Sequence, residues 1–270
     1  MPAINSAQKF SDTARAFDRV ASEYDGALGN NALVQKMRAR LIEKVTREVP
    51  RGARLLDLGC GTGLDALDLA QRGYAVTAID SARGMIERTR ARINKAGVQV
   101  TTFPIGIHEL EKLNADPFDA IYSNLGPLNC VADLRAVAQH CARVLNPRGK
   151  LIASVIGRYC PWEIALYAAR GNFRRAFLRW TRDRVPVPLG DETIWTRYYS
   201  PREFYRAFET EFELSALRAL ALFMPPPYLV HAYARHRALF APLEFLDNLF
   251  AGAPRLQNCG DHFLITLTKR

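Results

Sequence analysis

Leu55-Leu56-Asp57-Leu58-Gly59-Cys60-Gly61-Thr62-Gly63 is the stretch on which the reading of this chain turns. A short apolar strand runs into three glycines at alternate positions. Glycine has no Cβ, so a backbone built this way passes very close to a ligand. The helix that follows adds free N–H groups and the positive end of its dipole. Asp80 closes the next apolar run, Ala75 to Ile79, where a carboxylate can accept both hydroxyls of a ribose. Together these describe a nucleoside site at the carboxyl edge of a parallel sheet. A dinucleotide loop counted from Gly59 and Gly61 needs its third glycine at position 64, which is Leu64; a phosphate loop needs a Gly-Lys-Ser/Thr ending, which is absent.

Working outward, strands alternate with helices. Arg54 to Leu58 is read as a first strand, followed by a helix through Ala66 to Arg72, and Ala75 to Ile79 as a second strand. Ser81 is read as the N-cap of a helix through Met85, Ile86 and Ile93. Val98 to Phe103 and Phe118 to Ser123 supply two more strands, and a helix through Leu134 to Val144 reaches the turn Asn146-Pro147-Arg148-Gly149 before a fifth strand, Lys150 to Ile156. This rhythm predicts a parallel sheet covered on both faces. Upstream, Phe10, Phe17, Val20 and Tyr24, then Leu33, Met37, Leu41 and Val45, recur at helical spacing until Pro50.

Beyond Ile156 the rhythm breaks. It resumes at Ser200-Pro201-Arg202-Glu203, a capping-box start. A strand follows around Leu214 to Leu222, and His262 to Lys269 closes the chain as a strand. The expected organisation is therefore an N-terminal helical segment (1–50), a cofactor-binding core (51–156) and a helical, basic cap insertion (157–199). A core helix and strand (200–222), an apolar helical insertion (223–258) and the last core strand (259–270) complete it. The fold class is α/β, a doubly wound, seven-stranded, mainly parallel sheet with N-terminal helices and helical caps.

Of the 270 residues, 49% are hydrophobic and 24% charged, an ordinary globular balance that allows a sizeable core. No apolar stretch reaches the roughly 18 residues of a spanning helix, and the polar N-terminus lacks the apolar middle of a secretory signal. Five scattered cysteines show no paired spacing, which speaks against a disulfide framework or a metal site and for the cytoplasm. The net charge of +10 concentrates anions of any kind and does not by itself single out nucleic acid.

The glycine turn, with its preceding acid, resembles the first motif of class I S-adenosylmethionine-dependent methyltransferases, whose fold is Rossmann-like. Other segments fall in the same order. Ala16-Phe17-Asp18 with Glu23-Tyr24-Asp25 is similar to the N-terminal signature of the group that includes quinone-biosynthesis enzymes. Asp80-Ser81 with Gly84-Met85 resembles its second motif, Ser123-Asn124-Leu125-Gly126 its fourth, and Leu145 to Leu151 its proline-glycine turn. The resemblance implies S-adenosylmethionine as cofactor. It implies Asp57, Gly59 and Gly61 along the methionine moiety, Asp80 on the ribose, and Ser81 and Met85 beside it. Ile107 or His108 would border the adenine, Asn124 (with Leu125) would meet the ammonium, Tyr24 would cover the cofactor, and Arg38 would reach its carboxylate. The family often has an aspartate at the adenine amino group, where this chain reads Ile107-His108-Glu109.

A sulfonium carries its own leaving group, so the protein's task is alignment, worth up to about 7–11 kcal/mol, with a base needed only for a hydroxyl or protonated amine. The residue types name candidates without choosing: His231, His236, Tyr159 and Glu163, with His108 and His262 beside them, the last more readily structural because it opens a strand. The insertions are expected to set acceptor choice. Trp162 to Arg184 interleaves aromatic residues with arginines and fits a lid, an interfacial helix at a membrane surface, an RNA-contacting face, or a solvated arginine face with its aromatics in the core. Three functions stay open: a small-molecule methyltransferase with a hydrophobic or aromatic acceptor, an RNA methyltransferase using the basic insertion, and a non-catalytic partner protein that kept the fold. Asn124-Leu125-Gly126-Pro127, where base-amino methylating enzymes carry Asn/Asp-Pro-Pro-aromatic, counts against the second; the intact Asp57, glycines and Asp80 count against the third.

Overall fold

The computed structural model describes residues 6–26 and 29–270, with side chains from residue 11 onward, so the side chain of Phe10 lies outside the described set. In chain order the elements are α1 (Ser6–Val20), α2 (Ala32–Glu48), β1 (Arg54–Leu58), α3 (Leu64–Gln71), β2 (Ala75–Ile79), α4 (Arg83–Ala96), β3 (Val100–Phe103), β4 (Phe118–Ser123), α5 (Leu134–Val144) and β5 (Leu145–Ile156). They continue with α6 (Pro161–Ala169), α7 (Phe173–Ala176), β6 (Val185–Leu189), β7 (Glu192–Thr196), α8 (Pro201–Phe208), β8 (Phe212–Leu220), α9 (Val230–Arg235), α10 (Arg237–Phe250) and β9 (His262–Lys269).

Seven strands form one sheet in the order β3-β2-β1-β4-β5-β9-β8. β1 to β5 run parallel, and β9 runs antiparallel between β5 and β8. Strand order reverses at β1, which pairs with β2 on one side and β4 on the other. The helices leaving those strands diverge there, and the crevice at their carboxyl ends is where such sheets bind ligands. Alternation along β1 feeds both layers. Leu55 packs with Leu41, Val45 and Leu69 on one face, while Leu56 and Leu58 join Phe204, Phe208 and Phe263 on the other.

Local chemistry explains the borders. Asn31 caps α2 by accepting from the N–H groups of Leu33 and Val34, and the buried face is Leu33, Met37, Leu41 and Val45. Ser200 and Glu203 form the expected reciprocal capping box on α8. Ser81 is not a cap, contrary to expectation. Ala82 is the N-cap residue, and Asp80 Oδ1 accepts its N–H at 2.9 Å, because the aspartate one residue earlier already reaches that donor.

The segment 157–199 is helical only in its first half. Val185–Leu189 and Glu192–Thr196 make an antiparallel hairpin around Gly190-Asp191, and β7 packs on α1. The arginine-rich helix is also not a solvated face over buried aromatics: Phe173 and Trp180 are 61% and 49% exposed, whereas Arg179 is buried. No described helix is long and apolar enough to cross a membrane.

Candidate active site

The glycine turn is held from the neighbouring strand. Gly59 and Cys60 donate their N–H groups to Ile79 O at 3.0 and 2.9 Å, and Gly61 donates to Asp80 Oδ2 at 2.9 Å. Gly59, Gly61 and Gly63 have φ of +78°, +53° and +78°, the left-handed region that favours glycine. Each oxygen of Asp80 takes one backbone N–H and keeps lone-pair capacity for a further donor. Burial pushes its carboxyl up to about 6, with the N–H groups of Ala82 and Gly61 opposing the rise.

These groups border a cleft of about 210 Å³ at the strand-order reversal. Of the residues expected there, Tyr24, Arg38, Gly59, Gly61, Asp80, Ser81, Met85, Ile107, Asn124 and Leu125 line it. Two do not. Asp57 is buried behind the turn, where its Oδ2 accepts from Tyr122 OH at 3.0 Å, so it braces the loop and does not face the cleft. His108 points to solvent from the turn after β3, and its neighbour Ile107 fills the wall.

The far end of the cleft is polar. Arg38 Nη1 lies 2.8 Å from Asp65 Oδ1, and Asn124 Nδ2 donates to Asp65 Oδ2 at 3.0 Å. Ser154 Oγ donates to Asn124 Oδ1 at 2.7 Å and accepts the N–H of Leu125 at 2.6 Å, which holds Leu125 at φ +61°. A leucine in that region is an uncommon, strained choice. Asp65 carries no motif signature, although an acid in the first turn of α3 suits the helix dipole. The roof consists of Thr13 and Phe17 from α1 and Leu189, Ile194 and Thr196 from the hairpin. Tyr24 meets Phe17 edge-on at 5.9 Å, and burial, opposed by Arg38, pushes its hydroxyl up to about 12. Cys130 also borders the cleft as a protonated thiol, raised to about 11 by burial.

A second cavity of about 500 Å³ adjoins the first, and Ile156, Ile194 and Thr196 border both. Among the candidate bases, His231 lines it. His236 caps α10 at the surface, and Tyr159 packs edge-on against Trp180 at 5.7 Å, so neither borders a cavity. Glu163 is tied in an ion pair to Arg179. His262, read from the sequence as structural, does line the second cavity, together with Asp261 and Arg179.

The residues present fit an adenosyl amino acid. Arg38 Nε is buried without a hydrogen-bond partner among the described residues, and Asp65 Oδ1 meets only the Arg38 guanidinium, so this ion pair offers a cation to a carboxylate and an anion to an ammonium. A Cβ built on Gly61 meets nothing within 4 Å, so the turn leaves an open cradle.

Residues 55–149 match the methyltransferase domain family. A ubiquinone biosynthesis O-methyltransferase from Methylocella silvestris is 30% identical over 234 residues, covering 80% of this chain and 85% of that one. One from Xylella fastidiosa (strain 9a5c) is 39% identical over 118 residues, 43% of this chain; there the match spans about half the relative's length, 48%. Among solved structures, the N-methyltransferase NodS from Bradyrhizobium japonicum WM9 in complex with S-adenosyl-l-homocysteine shares the fold, with a TM-score of 0.60 at 13% identity over 96% of this chain and 98% of that one. By its sheet order, its glycine turn and its kinship with these enzymes, the chain belongs to the class I S-adenosylmethionine-dependent methyltransferases.

Proposed function

We propose that this protein moves a methyl group from S-adenosylmethionine to a small, apolar or aromatic acceptor. The observation that carries the reading is the cleft in which the glycine turn, the Asp80 carboxylate and the Arg38–Asp65–Asn124 cluster converge. When bound there, the sulfonium supplies an activated methyl. The chain's own residues supply the alignment. Asp80 accepts the ribose hydroxyls, Met85 and Ile107 enclose the adenine with Ser81 at its rim, and Gly59 and Gly61 let the backbone approach. Arg38 pairs with the carboxylate, while Asp65 and the Asn124–Leu125 turn receive the ammonium. Tyr24, Phe17 and the hairpin close over the site and exclude water.

The acceptor occupies the adjoining cavity, whose apolar side chains Val187, Ile194 and Val230 and tyrosines Tyr198 and Tyr228 suit a ring. The relatives' role in ubiquinone biosynthesis supports an aromatic acceptor of this kind. A reducing, cytoplasmic setting is supported by the five cysteines, all of them free thiols. The test is calorimetric titration with S-adenosylmethionine and S-adenosylhomocysteine. Saturable binding that Asp80→Ala abolishes is expected; no saturation with either compound overturns the reading.

A further inference from the structure

Whether the acceptor must lose a proton turns on what borders the second cavity, and there the chain carries a histidine–aspartate pair that cofactor binding does not use. His262 opens β9 and pairs in register with Ile156 of β5, a residue that borders both cavities. Directly opposed residues of an antiparallel pair carry their side chains on one face with Cβ atoms about 4.5–5.5 Å apart. The imidazole therefore stands beside the wall that separates cofactor cleft from acceptor cavity.

Its tautomer follows from its partner. Asp261 Oδ2 lies 2.9 Å from His262 Nδ1, and Asp261 Oδ1 lies 2.7 Å from Arg179 Nη2. Burial alone would raise the Asp261 carboxyl, but Arg179 and His262 together hold it well below the usual carboxylate range. An ionised carboxylate only accepts, so the Nδ1 position carries the proton and Nε2 keeps the lone pair. Among the described residues, the one hydrogen bond of the ring is the bond at Nδ1.

The charged and titratable groups around the ring are Asp261, Arg179, Glu163, Tyr198, Tyr228 and His231. Arg179 is shared between two carboxylates, Asp261 and Glu163, so this network has a formal charge of −1 before the ring gains a proton. His262 thus combines a carboxylate at Nδ1, no hydrogen bond at Nε2 among the described residues, and a place in the cavity lining.

Resting on the methyltransferase reading, we propose that His262 is the general base for methylation of an acidic hydroxyl in the second cavity, with Asp261 as its positioning residue. The hydroxyl proton passes to Nε2. The acceptor oxygen forms the O–CH₃ bond as the S–CH₃ bond breaks, and that electron pair stays on sulfur. The methyl ether, the thioether and an imidazolium remain, and the imidazolium returns its proton to water.

The test uses the full chain saturated with S-adenosylhomocysteine, which cannot react, and 4-nitrocatechol as a phenol whose absorbance reports its ionisation. On titration between about pH 5 and about pH 8, the midpoint of the bound probe should fall about one unit below that of the free probe. His262→Gln should return it to the free value and Asp261→Asn should move it part of the way, both with unchanged S-adenosylhomocysteine affinity. Turnover of a phenolic acceptor by His262→Gln should drop about 10²–10⁴-fold in kcat, with little change in KM, and recover as the acceptor ionises at high pH. An equal midpoint in wild type and variant, or no saturable binding of the probe, overturns the proposal while cofactor binding stands. If His262→Gln does not fold, the wild-type midpoint decides alone. Failure of the wild type to bind S-adenosylhomocysteine sinks the methyltransferase reading itself.

Discussion

Replacing Gly61 by alanine separates the binding role of the glycine turn from its structural role. Gly61 has φ of +53°, and an alanine held there costs about 1–2 kcal/mol of backbone strain. Its added Cβ meets nothing within 4 Å, so strain is the whole cost to folding, about 2–8 °C in Tm for a domain of this size. The same methyl group projects where the ligand must approach. Overpacking by one methyl costs about 1–3 kcal/mol, which is about 5- to 150-fold in Kd. Gly59 and Gly63 behave differently. A Cβ on Gly59 would stand 2.5 Å from Pro127 Cβ, and one on Gly63 2.6 Å from Thr89 Cγ2, so each adds overlap to strain and costs about 2–5 kcal/mol of stability. Gly63 does not border the cleft, so its alanine variant should lose stability with a smaller loss of affinity. Thermal melts of the three variants beside calorimetric titration with S-adenosylhomocysteine decide the matter. Unchanged affinity in Gly61→Ala, or a stability loss there as large as in Gly59→Ala, would refute this reasoning.

Three further perturbations test other parts of the molecule. Asp80 has a folded pKa of about 6 against an ordinary 3.8, so the ligand-free protein binds a proton at Asp80 that the unfolded chain does not, and stability is lost as pH rises through that window. The loss is up to about 3 kcal/mol between about pH 4 and about pH 7, and S-adenosylhomocysteine affinity should weaken as pH falls below about 6 because the ribose needs the carboxylate; a pH-independent Kd would contradict it. Arg179→Met takes the shared cation from buried Asp261, leaving it only His262, and from half-buried Glu163, and should cost about 3–5 kcal/mol in urea unfolding, with part restored by adding Glu163→Gln and Asp261→Asn; strict additivity would show that the three do not form one network. Asn129 is fully buried, donates to Ile156 O and Arg197 O at 3.1 and 2.7 Å, and accepts from Ile156 N at 2.9 Å. Asn129→Ala should therefore cost about 2–5 kcal/mol and loosen the roof of the cleft, read as faster amide exchange in residues 185–197; protection there equal to wild type would count against it.

How far the sequence carries the argument depends on where each signal resides. β1, β2, β4 and β9 match their expected bounds because their cue is a short apolar run closed by a turn, which is local. The β6–β7 hairpin was missed although Gly190-Asp191 is a two-residue turn signal. Pro186 and Pro188 weaken a strand signal, yet prolines are tolerated in a two-stranded ribbon whose outer edges are unpaired. Ser81 looked like a cap until Asp80 proved able to reach the same N–H. The residues that line the cleft were legible because their motifs fall in order, whereas Asp57 and His108, carried over from the same motifs without a direction, do not line it. His262 was named among the histidines but read as structural, because the sequence shows only that it opens a strand. Its meaning depends on Ile156 opposite it and on Arg179, 83 positions earlier, neither of them at helical or strand spacing, and on Asp261, adjacent in sequence but turned toward the ring only in the fold.

The methyltransferase domain match ends at residue 149, and every residue lining the second cavity except Asn31 lies beyond it. The domain match thus takes in the glycine turn, Asp80 and Asn124 of the first cleft, built on the parallel strands. The second cavity, proposed to take the acceptor, is assembled from the two insertions and from the antiparallel strand β9, which returns through the sheet to place Asp261 and His262 next to β5. Gly157 and Gly260 make that approach workable. A Cβ on Gly157 would stand 2.9 Å from Gly260 O, and one on Gly260 2.6 Å from Leu220 O. Gly260→Ala should therefore displace the start of β9 and, with it, the imidazole, while the cleft formed by β1, β2 and β4 stays intact. Retained S-adenosylhomocysteine binding with an altered nitrocatechol midpoint is the expected pair of results. If the variant lost both together, the two ends of the site would have to be treated as one folded unit, and acceptor chemistry could not be assigned to the return strand.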